Sequence, residues 1–391
     1  MLIIFLAISI LALLLSRRMT LRERIDVFSK GAGHPNMLLM LWIFVLAGAF
    51  AASAKSMGAV EATVNLTLQL LPPTYLLAGL FVSACAVSLC MGTSVGTIVA
   101  LMPIASSLAD KTEMSVALMT ASIVSGAFFG DNLSFISDTT IVATQSQGCQ
   151  PKDKFRFNFL MVLPAAICAA VIYLLLGSDT HNVTIGQVLW WKIIPYASVL
   201  IMATCGINVT IVLLIGILLT GIVGIADGSY TFIQWTSSLS TGIMGMSELI
   251  LISLMAGGIF ALISHHGWLD RLVQLISSRV RTKRGAEFSI CATVALANTL
   301  TANNTVAILS VGDIAKKIAK QYDIDPRRTA SLLDTTSCTV QGLIPYGAQL
   351  LMASSIAGIS AMSIIPFLYY PMLIGATVIT TILIFNKKPT N

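Results

Sequence analysis

Apolar residues occur along this chain in long unbroken blocks, without the two-residue alternation of strands or the one-faced pattern of soluble helices. Residues 2–16, 37–54, 73–91, 157–177, 188–205, 208–226, 247–264 and 364–385 each form a run that predicts a helix crossing about 30 Å of hydrocarbon. Glycine and other small residues inside these runs suit close helix packing in lipid. Polar interruptions fall at residues 92–97 (GTSVGT), 130–140 (GDNLSFISDTT), 298–305 and 337–349, the last with Gly342, Pro345 and Gly347. Backbone that leaves the helix at membrane depth is tolerated only where it is buried in protein or lines a water-filled cavity, so these interruptions predict one central cavity. The expected fold is an all-α polytopic membrane protein, with broken helices and re-entrant segments meeting at a midplane ion site. Residues 1–15 are read as a retained helix rather than a signal peptide, because no small-residue cleavage site follows and Arg17 and Arg18 lie on the far side.

Laid against itself at a shift of about 210 residues, the chain matches in polar landmarks as well as in Leu and Ile. Ala47, Gly48, Gly58 and Glu61 fall on Ala256, Gly257, Gly267 and Asp270, and residues 91–105 fall on 301–315. The polar run ending at Gly148 then falls, with a small gap, on residues 342–358. Charge reverses between the mates. The loop with Arg17, Arg18, Arg22, Arg24 and Lys30 is basic while residues 227–241 have no Lys or Arg; residues 55–72 are nearly neutral while their mate carries Arg271, Arg279, Arg281, Lys283 and Arg284. By the positive-inside rule equivalent loops lie on opposite sides of the membrane, which predicts two inverted repeats, residues 1–177 and 178–391. Continuing the count places Lys152, Lys154, Arg156 and residues 316–328 inside, His181 outside, and the C-terminus with Lys387 and Lys388 in the cytoplasm of a cell inner membrane. The helix expected at 188–205 has no mate in the first half, so the natural chain is expected to carry a further helix before Met1.

Composition agrees with this reading: 56% of the 391 residues are hydrophobic, 10% are charged, and mean hydropathy is +0.88. A net charge of +6 would suit nucleic acid, but the basic residues sit in short loops between apolar runs, so the lipid bilayer is the partner and nucleic acid is not. Seven cysteines form no C-x-x-C pair and have no His at ligand spacing, which argues against disulfides and zinc.

The chemistry concentrates in GDNLSFISDTT. An ionised aspartate at the centre of a membrane helix costs roughly 2.5–3.5 kcal/mol, so Asp131 and Asp138 need a partner or a ligand. Asn132, Ser134, Ser137, Thr139 and Thr140 offer oxygens, and Gly130 lowers the cost of unwinding. A solvated surface loop is the alternative, opposed by apolar sequence on both sides. Asn303 and Asn304, aligned with Thr93 and Ser94, are candidate ligands or plain helix-packing groups. Asp334, which with Thr93 and Ser94 is a secondary candidate for the site, precedes a polar run and lies near the basic Arg327-Arg328 loop, so that a helix-end or salt-bridge role is equally open to it. His265 and His266 read as a solvated helix end, Glu61 and Asp270 as caps, and Glu248 as a complement to a helix dipole. No enzyme is indicated: H-E-x-x-H is absent, and residues 128–131 (FFGD) lack the first glycine of the G-x-G-D intramembrane protease motif. A channel fits inverted repeats with broken helices less well than alternating access does.

GDNLSFISDTT resembles the GDKLSPLSDTT-like motif of the NhaC-type sodium/proton antiporter family, within the ion transporter superfamily. The resemblance covers nearly the whole chain and includes KGAGHPN (30–36), MGTSVGT (91–97), LLDTTSCTVQGLIPYG (332–347) and the long helix after Pro164. It implies a cation site at Asp131, Ser134, Ser137, Asp138, Thr139 and Thr140, a matching break at Ile344, Pro345 and Tyr346, and a homodimer with scaffold and transport regions. Asn132 stands where the family usually has Lys and Phe135 where it usually has Pro, which removes a positive charge beside the site. The function expected from these residues is exchange of sodium or lithium for protons, with both competing for Asp131 or Asp138, helped by the hydroxyls and by Asn303 and Asn304. Sodium and protons are cargo, and no cofactor is expected. Because the family also contains exchangers of organic acids or amino acids, a coupled exchanger of such a solute is the second expectation, and a cation-binding sensor without flux the third.

Overall fold

A computed structural model describes residues 2–16, 19–135, 137–177, 186–267, 271 and 280–385. Arg17, Arg18, His181, Arg279, Lys387 and Lys388, used above to orient the loops, and Asp270, read as a cap, lie outside the described residues. The described residues are helical throughout, with no strand. In chain order the helices are α1 (Leu2–Leu15), α2 (Leu21–Ala32), α3 (Pro35–Ser56), α4 (Ala59–Leu70), α5 (Leu76–Met91), α6 (Ser94–Thr112), α7 (Val116–Leu133), α8 (Asp138–Gln147) and α9 (Pro151–Leu176). There follow α10 (Trp190–Thr204), α11 (Val209–Ala226), α12 (Phe232–Gly245), α13 (Ser247–His265), α14 (Lys283–Thr301), α15 (Asn304–Gln321), α16 (Pro326–Leu343), α17 (Ala348–Ala357), the short α18 (Ala361–Ile364) and α19 (Tyr369–Phe385).

Five stretches of the described residues are long and apolar enough to cross a membrane: Met37–Ser56, Val116–Gln147, Pro151–Leu176, Val209–Ala226 and Ser247–His265. A sixth is added if Pro326–Ala357 and Ala361–Phe367, bent by 100° at the turn between them, count as one span. The protein is thus a multi-pass membrane protein with fewer full-length spans than the eight apolar runs led us to expect. Runs 2–16, 73–91, 188–205 and 364–385 form helices of 14, 16, 15 and 17 residues, short of the roughly 20 that a perpendicular crossing needs. For runs 73–91 and 188–205 the cause is punctuation beside them: the Pro72-Pro73 turn and the left-handed Gly92 bound α5, and the left-handed Gly206 follows α10. Large apolar side chains remain on the outer surface, such as Leu160, Ile167 and Leu175 on α9 and Leu218 and Ile222 on α11; in a membrane their solvent is acyl chain.

Helix bounds recur at a constant offset of 210 residues. Val116–Leu133 and Asp138–Gln147 recur as Pro326–Leu343 and Ala348–Ala357, and the left-handed glycines that end them are Gly148 and Gly358. No gap intervenes, contrary to the small one expected from sequence, because the register is carried by helix ends rather than by the side chains that sequence alignment compares. Helix α14 runs into α15 and comes back: the Tyr322 hydroxyl at the end of α15 donates to the Val280 carbonyl just before α14 at 2.8 Å. The tip of that hairpin is Ala302-Asn303, and the corresponding turn between α5 and α6 is Gly92-Thr93.

The interruptions are shorter than sequence predicted, because capping satisfies the exposed backbone groups within two to four residues. Thr93 and Asn303 take the N-cap positions of α6 and α15, accepting from the amides of Gly96 at 3.5 Å and Val306 at 3.0 Å. Residues 94–97, 131–133, 138–140, 298–301, 337–343 and 348–349, expected as irregular, are helical. Gly130 is helical too, so unwinding is not its purpose. A Cβ there would sit 2.1 Å from Ser88 Oγ and 2.2 Å from the Ser88 carbonyl carbon, so its lack of a side chain is what lets α5 lie against α7.

Candidate cation site

The breaks after α5, α7, α14 and α16 meet at a cavity of about 390 Å³, walled on one side by Leu39, Met40 and Ile43 of α3. Its polar lining is Thr93, Ser94, Asp131, Ser137, Asp138, Thr139, Asn303, Asn304, Thr305, Gln341 and Gln349. Asp131 lies in the last turn of α7 and is buried. Its Oδ1 accepts from the Ser94 amide at 2.9 Å, so the amino end of α6, with its unsatisfied N–H groups and partial positive charge, holds the carboxylate. A carboxylate with one oxygen so held and, among the described residues, no cationic side chain bonded to it has capacity left for a cation.

Carbonyls at the end of α7 are answered by one backbone amide and three side chains. The Ser134 amide donates to the Gly130 carbonyl at 2.7 Å, Thr139 Oγ1 to the Asp131 carbonyl at 3.2 Å, and Lys154 Nζ and Asn158 Nδ2 to the Asn132 carbonyl at 3.2 and 2.8 Å. The break therefore leaves these carbonyls paired without continuing the helix. Ser137 and Thr139 hydroxyls share a bond of 2.8 Å at the start of α8, and Asp138, exposed to the cavity, occupies the first position of that helix.

From the second half come neutral groups. Asn303 and Asn304 reach the cavity, but both amide oxygens serve α15, accepting from Val306 N and Thr305 N at 3.0 Å each. Asn304 Nδ2 and Gln341 Oε1 are buried and unpartnered among the described residues. Gln341 Nε2 donates to the Ala302 carbonyl at 2.9 Å and to Gln349 Oε1 at 2.8 Å, and Gln349 Nε2 donates to Ser94 Oγ at 3.0 Å. A chain of amides thus links both helix-end turns to the residue that holds Asp131. Carboxylate, hydroxyl and amide oxygens make a donor set suited to a hard cation such as sodium.

Several sequence-derived candidates face elsewhere. Asn132 donates to the Phe128 carbonyl at 3.2 Å and to Tyr370 Oη at 3.4 Å, behind the cavity, because one step along a helix turns the side chain about 100° away from Asp131. Ser134 caps α7 and is not part of the lining. Thr140 accepts from Lys154 Nζ at 2.6 Å on the side away from the cavity. Tyr346 donates to the Thr299 carbonyl at 2.7 Å and packs edge-on against Phe5, and neither it nor Pro345 lines the cavity.

Asp334 pairs with Lys154 at 2.5 Å, not with the Arg327-Arg328 loop; Arg327 binds Asp325 and Arg328 binds Glu287. Lys154, expected in a cytoplasmic loop, is buried in the first turn of α9. These pairings join elements far apart in sequence. Gln341 and Gln349, also missed, could have been found by carrying Asp131 and Thr139 forward by the constant 210 residues, which lands on them.

The architecture and the oxygen-lined cavity at its broken helices define a secondary transporter rather than an enzyme. The chain belongs to the Na+/H+ antiporter family, whose model matches residues 1–178 and 180–386. It is 24% identical to the Na(+)/H(+) antiporter NhaC of Bacillus subtilis, over 92% of this chain and 85% of that one. It is 22% identical to the malate-2H(+)/Na(+)-lactate antiporter of the same organism, over 86% and 79%. The fold matches that of the Alcanivorax borkumensis YdaH transporter with a TM-score of 0.51 at 11% identity, over 97% of each chain.

Proposed function

We propose that the protein exchanges sodium or lithium for protons, with the cation and the proton competing for Asp131. The observation that carries this is the buried Asp131 carboxylate, bonded to the Ser94 amide at an oxygen-lined cavity. Burial favours the protonated, neutral carboxyl, whereas a bound cation favours the ionised one. Either occupant leaves a neutral site that crosses the low-dielectric interior at less cost than a bare carboxylate, and competition between them is the coupling. Ser137, Thr139 and Gln341 supply further oxygens, and Asp138 stands on the same cavity wall as the second acidic group.

Alternating access follows if residues 1–177 and 178–391 are inverted repeats, a reading supported by the constant offset of helix bounds and by the reversed loop charges. On this reading α5–α6 and α14–α15 are re-entrant hairpins, helix α2 with Arg22 and Lys30 and the start of α9 with Lys152 face the cytoplasm rather than the basic loops expected there, and two copies form the homodimer that the family resemblance implies.

The cavity itself favours a second reading. At about 390 Å³ it has room for more than a desolvated cation, and Asn304 Nδ2 offers a free donor that a carboxylate could accept from. Exchange of a small organic acid coupled to sodium or protons is therefore the alternative. Proton flux into sealed proteoliposomes separates the two. Flux on addition of sodium alone, lost in Asp131→Asn, is the expected result; flux only when a small carboxylate or amino acid is added would replace the first reading with the second.

A further inference from the structure

Behind the cavity, across the break between α7 and α8, lies a charged cluster that cation exchange at Asp131 does not itself use. Lys154 is 1% exposed and Asp334, in the middle of α16, is 0% exposed, with Nζ 2.5 Å from Oδ2. The ammonium directs its remaining bonds to Thr140 Oγ1 at 2.6 Å and to the Asn132 carbonyl at 3.2 Å, so its three-donor capacity is filled. Asn158, one turn along α9, donates to the same Asn132 carbonyl at 2.8 Å and to Asp334 Oδ2 at 3.2 Å, and accepts from Ser331 Oγ at 2.5 Å.

The residues gripped are the immediate neighbours of those that face the cavity. Asn132 follows Asp131 at the end of α7, and Thr140 follows Thr139 at the start of α8. One cation therefore ties both lips of the break together from behind, and its own anchor comes from α16. Positions 210 residues from this pair hold Val124 and Ile364, so the α16–α17 break has no equivalent tie. Because the two charges cancel, the tie adds no net charge beside the cavity.

We propose that the Lys154–Asp334 pair positions the cation site, clamping the broken helix so that the Asp131 carboxylate and the Thr139 hydroxyl stay aimed at the cavity. The inference rests on Asp131 being that site.

The test is sodium-driven proton flux in proteoliposomes, with half-saturation and maximum rate measured separately for the wild type, the double variant Lys154→Gln/Asp334→Asn, Thr140→Val and Asp131→Asn. The double variant leaves no buried charge unpaired, and Thr140→Val removes one grip of the clamp without touching charge. The half-saturation for sodium should rise about tenfold in the double variant and about threefold in Thr140→Val, with maximum rate and sodium-free melting temperature nearly unchanged. A merely structural pair would lower the melting temperature and leave half-saturation alone. Wild-type half-saturation in a folded double variant overturns the clamp, and if that variant does not fold, wild-type half-saturation in Thr140→Val does so. Retained flux in Asp131→Asn would instead overturn the site assignment beneath it. Should the wild type need a small carboxylate for flux, sodium is titrated at a fixed saturating level of that solute and the same outcomes apply.

Discussion

The α7–α8 and α16–α17 segments share helix lengths, a terminal left-handed glycine and the same four-residue break, yet only the first is acidic at its break, since Asp334 lies in the middle of α16. Where α7 and α8 carry Asp131, Asp138 and Thr139, the positions 210 residues on are Gln341, Ala348 and Gln349. The first segment is also tied at its break by Lys154, while the second is held by amide bonds from Gln341 to Ala302 and Gln349. Two equivalent backbones thus present different groups to the cavity: one the buried Asp131 carboxylate, the other the neutral dipoles of Gln341 and Gln349, which cost far less to bury than a second charge. One sodium or one proton neutralises the Asp131 carboxylate, whereas a symmetric pair of buried aspartates would leave a second charge uncompensated.

The strongest way to break this comparison is to make the two segments alike. Asp131→Asn should abolish sodium-dependent proton flux while the protein remains folded by size-exclusion chromatography, and Gln341→Leu should leave flux measurable. Gly130→Ala drives a methyl into Ser88 of α5, and should lower stability by about 1–3 kcal/mol, read as a fall in melting temperature in detergent. Gln341→Leu strips an oxygen from the cavity and a donor from Ala302, and should raise the half-saturation for sodium by about tenfold, equivalent to about 1.4 kcal/mol.

The caps sharpen the contrast further. Asn303→Ala should cost about 1 kcal/mol, and Thr93→Ala less, since the Thr93 bond to Gly96 is 3.5 Å against 3.0 Å for Asn303 to Val306. The smallest effect is expected outside the membrane segments, at Asp227. There the hydrogen bond from Lys192, backed by Ser229 and Trp191, holds the carboxyl below the usual carboxylate range. A depressed carboxyl contributes its full stability above the unfolded-state value near about 3.9 and loses it as pH falls through the lower folded value. Thermal unfolding of Asp227→Asn should therefore begin slightly below the wild type at neutral pH and converge with it as pH falls below about 4.

Legibility followed the range of the interaction concerned. The polar interruptions, the offset near 210 and the gathering of Asp131, Ser137 and Thr139 at one polar site could be read directly, because each is a departure from an apolar background within a few residues. The lengths of the breaks could not, since Thr93 and Asn303 cap their helices only in a conformation that sequence does not display. Asn132 and Thr140 read as ligands because they share the motif with Asp131, and helical rotation turns both away. Lys154 read as a loop charge because its partner Asp334 lies 180 residues distant in the chain.

By itself the sequence determined that this protein lives in a membrane, that its helices are broken at recurring points, and that it carries a cation-competent motif of a sodium/proton antiporter family. Those properties follow from hydrophobicity and from the cost of placing polar groups in hydrocarbon, which act locally along the chain. Tertiary structure alone decided that the amino end of α6 holds Asp131, that Gln341 and Gln349 complete the cavity, and that Lys154 closes on Asp334 behind it. Each depends on where separate helix ends converge, and a hydrogen bond or ion pair gains its energy only once folding has brought its two groups together at the right distance and angle.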